Sequence, residues 1–461
     1  MSLLQTDPPA ATAPDEVVPH RWTDVLRYDG AVHLLVMTSI AAGTFQGYLK
    51  DRIPGPLPYA LADLSLVAAA IVWFGSMALR RAPLSGPGRV VPLMLILIGV
   101  PSLFLIHPGT PLVIELAGLR AWALFPLAGL IALTTIRTQG QVRAYVGLIL
   151  GLCIITAIYG LMQYRAGPQA ALSVSELALD RHGTSVFYEV MGSRRSEFRA
   201  FSTFTFPAPF AGMMVFGILL AGGIASSRMA RRGRRLFAAA LIPLFFVGMT
   251  VSGTRAALLI LALGLLVLGW YRGLSLAQLA LLPVLLLAIH LATIFTAGAI
   301  VARWQTVVLQ EGLLWTYVWA PVTVAARAIA EHPLGHGLGR SGVGVPFAIF
   351  RSMPEGFFVG SDGDVGRAGV ELGVVGLVLL AIIVLGMLPT AGRATRALRD
   401  TPAEGLALGM GALIVSTGLV LLIGSPLTSA PHGTIWWLSL GALLKLAMIE
   451  GGWAGGRLRG R

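Results

Sequence analysis

Three stretches of this sequence bring reactive side chains to the edges of apolar runs. The first is Arg199-Ala-Phe-Ser-Thr-Phe-Thr-Phe-Pro-Ala-Pro-Phe-Ala-Gly212. A guanidinium at the start of an apolar run either snorkels to a membrane interface as an anchor or holds an anion. The second is Val251-Ser-Gly-Thr-Arg255-Ala-Ala-Leu258. Here Ser252-Gly253 interrupts an apolar run, Thr254 suits a helix cap, and Arg255 then falls in the first turn. A cation there opposes the positive end of the helix dipole. Free backbone N–H groups and a guanidinium together attract an anion, and phosphate suits both. A water-exposed loop arginine is the plain alternative.

The third stretch runs Gly360-Ser-Asp362-Gly-Asp364-Val-Gly-Arg367-Ala-Gly-Val-Glu371-Leu-Gly373-Val-Val-Gly376. Asp362 and Asp364 are candidate general bases. They also suit a divalent cation or an ordinary turn, because Asp-Gly-Asp is a common turn signal. Glu371 falls at an apolar boundary, where an ionisable group is costly and is functional or paired. Arg367 and Glu371 are i,i+4, so an intrahelical ion pair is the plain alternative. Ahead of this stretch lies the Gly-rich turn His332-Pro-Leu-Gly-His336-Gly-Leu-Gly339. His332, His336 and the distant His432 match no metal-ligand spacing. Cys153, the single cysteine, lies in an apolar run and excludes disulfides and cysteine-based metal sites. No metal and no cofactor are expected.

What must position these residues is a membrane. The chain has 461 residues, 56% hydrophobic and only 12% charged, with a mean hydropathy of +0.79. A soluble domain carries about 25% charge and could not hide so much apolar surface. A soluble enzyme, a disordered chain and a disulfide scaffold are thereby excluded. The pattern predicts an all-α polytopic membrane protein with about 12 transmembrane helices. The spans read as 31–48, 58–79, 90–106, 112–136, 144–163, 201–225, 236–251, 256–271, 276–298, 368–388, 405–424 and 433–449. The pair 236–251 and 256–271 reads as two short spans or one broken span. Residues 1–30 read as a disordered cytoplasmic tail without a signal peptide, and 450–461 as a basic cytoplasmic tail. Residues 164–200 and 299–367 are long outer loops. The second holds amphipathic helices at 301–304 and 315–330, lying on the membrane surface or capping a cavity. No internal repeat of the transporter kind is evident.

A net charge of +13 would suggest nucleic acid in a soluble protein; here its source is membrane sidedness. All basic residues but Lys50 and Lys445 are arginines. Alternate loops carry Arg21 and Arg27; Arg80, Arg81 and Arg89; Arg137 and Arg143; Arg228, Arg231, Arg232, Arg234 and Arg235; Arg272; Arg393, Arg396 and Arg399; and the C-terminal cluster. After the N-terminal tail these loops hold almost no acid. They read as cytoplasmic, with both termini inside. Arg199, Arg255, Arg303, Arg367, both aspartates and the Gly-rich turn then share the opposite face. That face is not cytosolic, so ATP and nucleotide sugars are not the expected substrates, whereas a lipid-linked diphosphate fits, its tail in the bilayer and its phosphates on arginines.

In their order and sidedness these pieces resemble the O-antigen ligase and O-antigen polymerase superfamily of bacterial membrane glycosyltransferases. The resemblance covers about 195 to 445. It rests on Arg199 to Pro209, Ser252 to Ala257, Arg303-Trp304 with the His332–Gly339 turn, Glu371 to Gly376, and Ser425-Pro followed by Trp436-Trp437 and Gly441. It implies a GT-C-like fold in the bacterial inner membrane. It further implies metal-independent transfer of glycan from an undecaprenyl-diphosphate-linked donor to a glycan or lipid acceptor. Arg199 and Arg255 would bind the diphosphate, with Arg303 or Arg367 assisting. Chain-length regulators or other assembly proteins are candidate partners. Ligases of the family carry a His eleven residues before the Gly-x-x-Gly pair, and that count from Gly373 reaches Asp362. This favours a polymerase over a ligase, with Asp362 as base ahead of Asp364 or His336. Two other readings stand beside it. A transporter would use Asp63, Glu115 and Arg120, of which the last two could pair with each other. A scaffold subunit would have no activity.

Overall fold

The computed structural model describes residues 22–458 except 56, 81–85, 87–88, 106, 175–186, 190–195, 275–312, 346, 361–362, 422–423, 452 and 455–456. Fourteen helices are described: α1 (Trp22–Thr44), α2 (Gln46–Arg52), α3 (Leu57–Arg80), α4 (Val90–Ser102), α5 (Leu112–Thr135), α6 (Gln139–Leu172), α7 (Pro207–Ser226), α8 (Arg232–Val251), α9 (Arg255–Arg272), α10 (Leu313–Glu331), α11 (Phe347–Ser352), α12 (Gly363–Ala397), α13 (Glu404–Gly418) and α14 (His432–Ile449). Two small antiparallel hairpins pair β1 (Phe187–Glu189) with β2 (Ser196–Phe198), and β3 (Trp453–Ala454) with β4 (Arg457–Leu458).

Among the described residues, seven helices are long and apolar enough to cross a membrane: α5, α7, α8, α12 and α14 in full, α6 as far as Gln169, and α3 from Ala60. The pair α1 and α2, bent by 63°, makes an eighth if taken as one span. The shorter apolar helices α4, α9 and α13 coincide with three more of the runs read from hydropathy. The run 276–298 and the segment 301–304 lie outside the described residues. α1 starts at Trp22, inside the segment expected to be a disordered tail. Its polar turn is supported by Asp29, which is buried and pairs with Arg80 at 3.4 Å.

Local sequence sets the helix boundaries. Thr138 and Gln141 form a reciprocal capping box that opens α6. Pro207 opens α7, where its missing N–H costs nothing. Small residues then let the central helices approach closely. A Cβ on Gly223 of α7 would strike the Gly409 backbone of α13, and one on Gly441 of α14 would strike the Gly129 carbonyl of α5. Lipid supplies no hydrophobic drive between helices, so such close contact contributes the association.

Contacts sort the loops into two ends. At one end Glu404, 2% exposed, accepts Ser227 Oγ at 2.9 Å, the Arg228 N–H at 2.8 Å and Arg272 Nη1 at 3.3 Å. One carboxylate thus ties the α7–α8 turn, the end of α9 and the start of α13. These are three loops that the arginine count assigns to one side. The same contact resolves the 236–271 pair: α8 leaves this end and α9 returns to it, so they are separate helices. Replacing Glu404 by alanine strands the Ser227 and Arg228 donors, at about 1–3 kcal/mol each. Glu404→Ala should lower the unfolding midpoint of the detergent-solubilised protein, and an unchanged midpoint would refute the tie.

Candidate functional site

At the opposite end, the segment following Arg199 is held from several sides. Its Ala200 N–H donates to Val251 O at 3.1 Å. The Phe201 and Ser202 N–H groups both donate to Gln163 Oε1, at 2.9 and 2.8 Å. Ser202 Oγ donates to Thr156 O, and Thr203 Oγ1 to Thr44 O, each at 2.7 Å. α1, α6 and the end of α8 therefore fix one short loop. Gln163 was not among the residues singled out in the sequence. A polar amide at the end of an apolar run was its available signal.

This clamp brings two of the three reactive stretches together. Arg199 Nε donates to Ser252 O at 3.0 Å, and its Nη2 donates to Thr254 Oγ1 at 3.1 Å. The partners are 53 and 55 residues away in sequence. Thr254 precedes α9 as expected, but its hydroxyl makes no cap hydrogen bond to that helix. It faces the guanidinium of Arg199 instead. Thr254 thus gives the first N–H groups of α9 no side-chain cap, with Arg255 as the first helical residue. A half-buried guanidinium beside an uncapped helix N-terminus favours negative charge.

The third stretch forms a different device. α12 is broken at Gly373, whose φ of 61° and ψ of −138° suit glycine alone. The Gly-rich turn fits into the break. His336 N–H donates to Val370 O at 2.7 Å, and Val374 N–H donates to Pro333 O at 2.9 Å. The turn's backbone thus satisfies groups that the break would otherwise orphan. Its other side meets α5, where a Cβ on Gly118 would strike the Gly339 backbone.

Behind the break lies an enclosed polar network. Glu371 accepts from Arg367 Nε at 3.1 Å, from Trp122 Nε1 at 2.7 Å and from Ser341 Oγ at 2.5 Å. Arg367 and Glu371 are both fully buried, so the i,i+4 ion pair is realised. Arg367 also donates Nη1 to Thr428 O at 3.2 Å, while its Nη2 has no hydrogen-bond partner among the described residues. Asp364 is fully buried too. It accepts Thr428 Oγ1 at 2.5 Å and the Leu427 N–H at 3.1 Å. Arg367 and Asp364 were expected at an anion site and as a base. Here they tie α12 to the α13–α14 loop, because burial requires each charge to find partners. Asp362 and Arg303 lie outside the described residues.

His336 remains half-buried, its ring 4.3 Å from that of His332. Burial, then the neighbouring His332 and Arg340, hold its imidazole below the usual range. A histidine with a lower folded than unfolded pKa binds protons more readily when released. Its stabilising effect is therefore present above the unfolded value of about 6.5 and fades as pH falls below it. Measured relative to the intrinsic exchange rate at each pH, the protection of amides in the 332–344 turn should fall below that pH, and His336→Gln should flatten the response. Protection that stays constant across that pH in the native chain would refute it.

Residues 315–330 are helical; Pro321, Ala325 and Ala328 are buried, and Ala325 packs against Gly369 of α12. Glu115 and Arg120 do not pair. Glu115 accepts the His107 N–H at 2.6 Å, while Arg120 pairs with Asp63 and donates to Gly344 O. The two are i,i+5, off the i,i+4 face. No family model matches the chain, and no curated protein matches it by sequence.

Proposed function

We propose that this chain is a bacterial membrane glycosyltransferase of the O-antigen ligase and polymerase superfamily. It polymerises or transfers glycan from an undecaprenyl-diphosphate-linked donor at the extracytoplasmic face of the inner membrane, with both termini cytoplasmic. The arginine distribution supports that orientation. The observation that carries the reading is the meeting of Arg199 with the Ser252–Arg255 turn. It gathers two arginine-bearing stretches and an uncapped helix N-terminus at one place, a combination suited to a diphosphate. The arginines would stabilise the charge that grows on the leaving diphosphate. The acceptor hydroxyl attacks the anomeric carbon from the opposite face as the bond to the diphosphate oxygen breaks. Asp362 takes the hydroxyl proton.

The broken helix α12 favours a second reading, since transporters bind solutes at broken helices. The adjoining Gly-rich turn already occupies the freed Val370 O and Val374 N–H, which leaves the enzyme reading ahead. The test is glycan transfer by purified protein with EDTA present, on an undecaprenyl-diphosphate glycan from the host. Activity that collapses in Arg255→Ala and in Asp362→Asn supports the proposal. An inert native protein, or variants at full rate, would move the transporter reading forward.

A further inference from the structure

The end opposite the candidate site carries a second arginine cluster. Arg228, Arg231, Arg232, Arg234 and Arg235 are all exposed, in the α7–α8 turn and the first turn of α8. None forms an ion pair among the described residues. Glu404, the carboxylate that meets this turn, is 2% exposed and is committed to Ser227, the Arg228 backbone and Arg272. The cluster is thus uncompensated within the described protein. It also faces the positive end of the α8 dipole, whose N-cap residue Arg231 makes no side-chain cap hydrogen bond.

What lies beneath the cluster identifies the counter-charge. Leu236 is 61% exposed, Phe237 63% and Val247 39%, and Ala240 and Pro243 are exposed between them. Residues 236, 240, 243 and 247 follow helical spacing, so they form one apolar stripe along α8. Arg232 continues that stripe one turn toward the cluster. Met229, 51% exposed, flanks it. A soluble anion would match the guanidinium groups but not the stripe. A molecule with a phosphate head and acyl chains matches both, at the depth where each belongs.

We propose that Arg228–Arg235 and the outer face of α8 form a binding site for an anionic phospholipid. The phosphodiester sits among Arg231, Arg232, Arg234 and Arg235, and an acyl chain runs along Leu236, Ala240, Pro243 and Val247. The site is independent of the transfer reaction and stands whether or not that reading survives.

The experiment compares the full chain in nanodiscs of phosphatidylcholine alone and of phosphatidylcholine with phosphatidylglycerol. Native mass spectrometry counts retained lipid and thermal unfolding gives the midpoint. Phosphatidylglycerol should be retained and should raise the midpoint. Replacing the four arginines together by glutamine should weaken lipid retention on the order of several hundredfold, about fivefold for each charge near the surface. The matching four-lysine variant, which keeps the charge, should retain most of the response. Equal behaviour in the two lipid mixtures would overturn the proposal, as would an undiminished response in a folded glutamine variant. An equal midpoint rise with glycerol 3-phosphate in detergent would also overturn it, because the cluster would then recognise phosphate without lipid.

Discussion

If the chain transfers glycan as proposed, Arg199→Ala should lower that transfer about 10²–10³-fold, the scale for removing one donor that meets charge developing in a transition state. The loss should fall more on kcat than on KM, because a leaving diphosphate gains charge as the glycosidic bond breaks. Arg199→Lys recovers only part of the rate. A lysine ammonium supplies charge but not the planar fork with which Arg199 reaches Ser252 O and Thr254 Oγ1 together. Arg199 also braces the Ser252–Thr254 turn, so the unfolding midpoint is measured on each variant alongside the rates. A folded Arg199→Ala protein with native kcat would sink the assignment. Under the proposal that Arg199 and Arg255 hold one diphosphate, their alanine variants should be non-additive in a double-mutant cycle.

Glu371→Ala destabilises the protein by about 3–5 kcal/mol, the cost of leaving a buried charge without its partner. Three donors lose their acceptor at once: Arg367 Nε, Trp122 Nε1 and Ser341 Oγ. They come from three separate parts of the chain, so the Gly-rich turn and α5 loosen from α12 together. Removing both charges, as Arg367→Ala with Glu371→Ala, should cost less than the sum of the single changes. Denaturant unfolding in detergent measures both effects. A Glu371→Ala protein as stable as the native chain would show that the network contributes nothing to the fold. Additive single and double variants would show that the pair is not coupled.

The legible part of this molecule was the part set by local composition. Runs of apolar residues predicted helices because a backbone in lipid must satisfy its own hydrogen bonds. The helices α3 to α9 and α12 to α14 stand where those runs were read. The bend between α1 and α2 and the break at Gly373 were not anticipated, since each depends on a packed neighbour distant in sequence. Gly373 is backed by the Pro333 carbonyl, and Gly47 by the Phe204 backbone, contacts that no window of sequence contains.

Charged residues divide in the same way. The distribution of arginine among loops separated the two ends, and Glu404 joins three loops of one end as that separation requires. Spacing alone raised the Arg367–Glu371 pair, because i,i+4 neighbours share a helix face whatever surrounds them. Tertiary structure decided the rest. It enclosed Asp364 and Arg367 as ties to Thr428 and sent Glu115 and Arg120 to different partners. It also turned Thr254 from a helix cap into a ligand of Arg199. Periodicity is a property of the chain and can be read along it. The partner that a buried polar group finds depends on which helices pack together, and only the folded molecule specifies that.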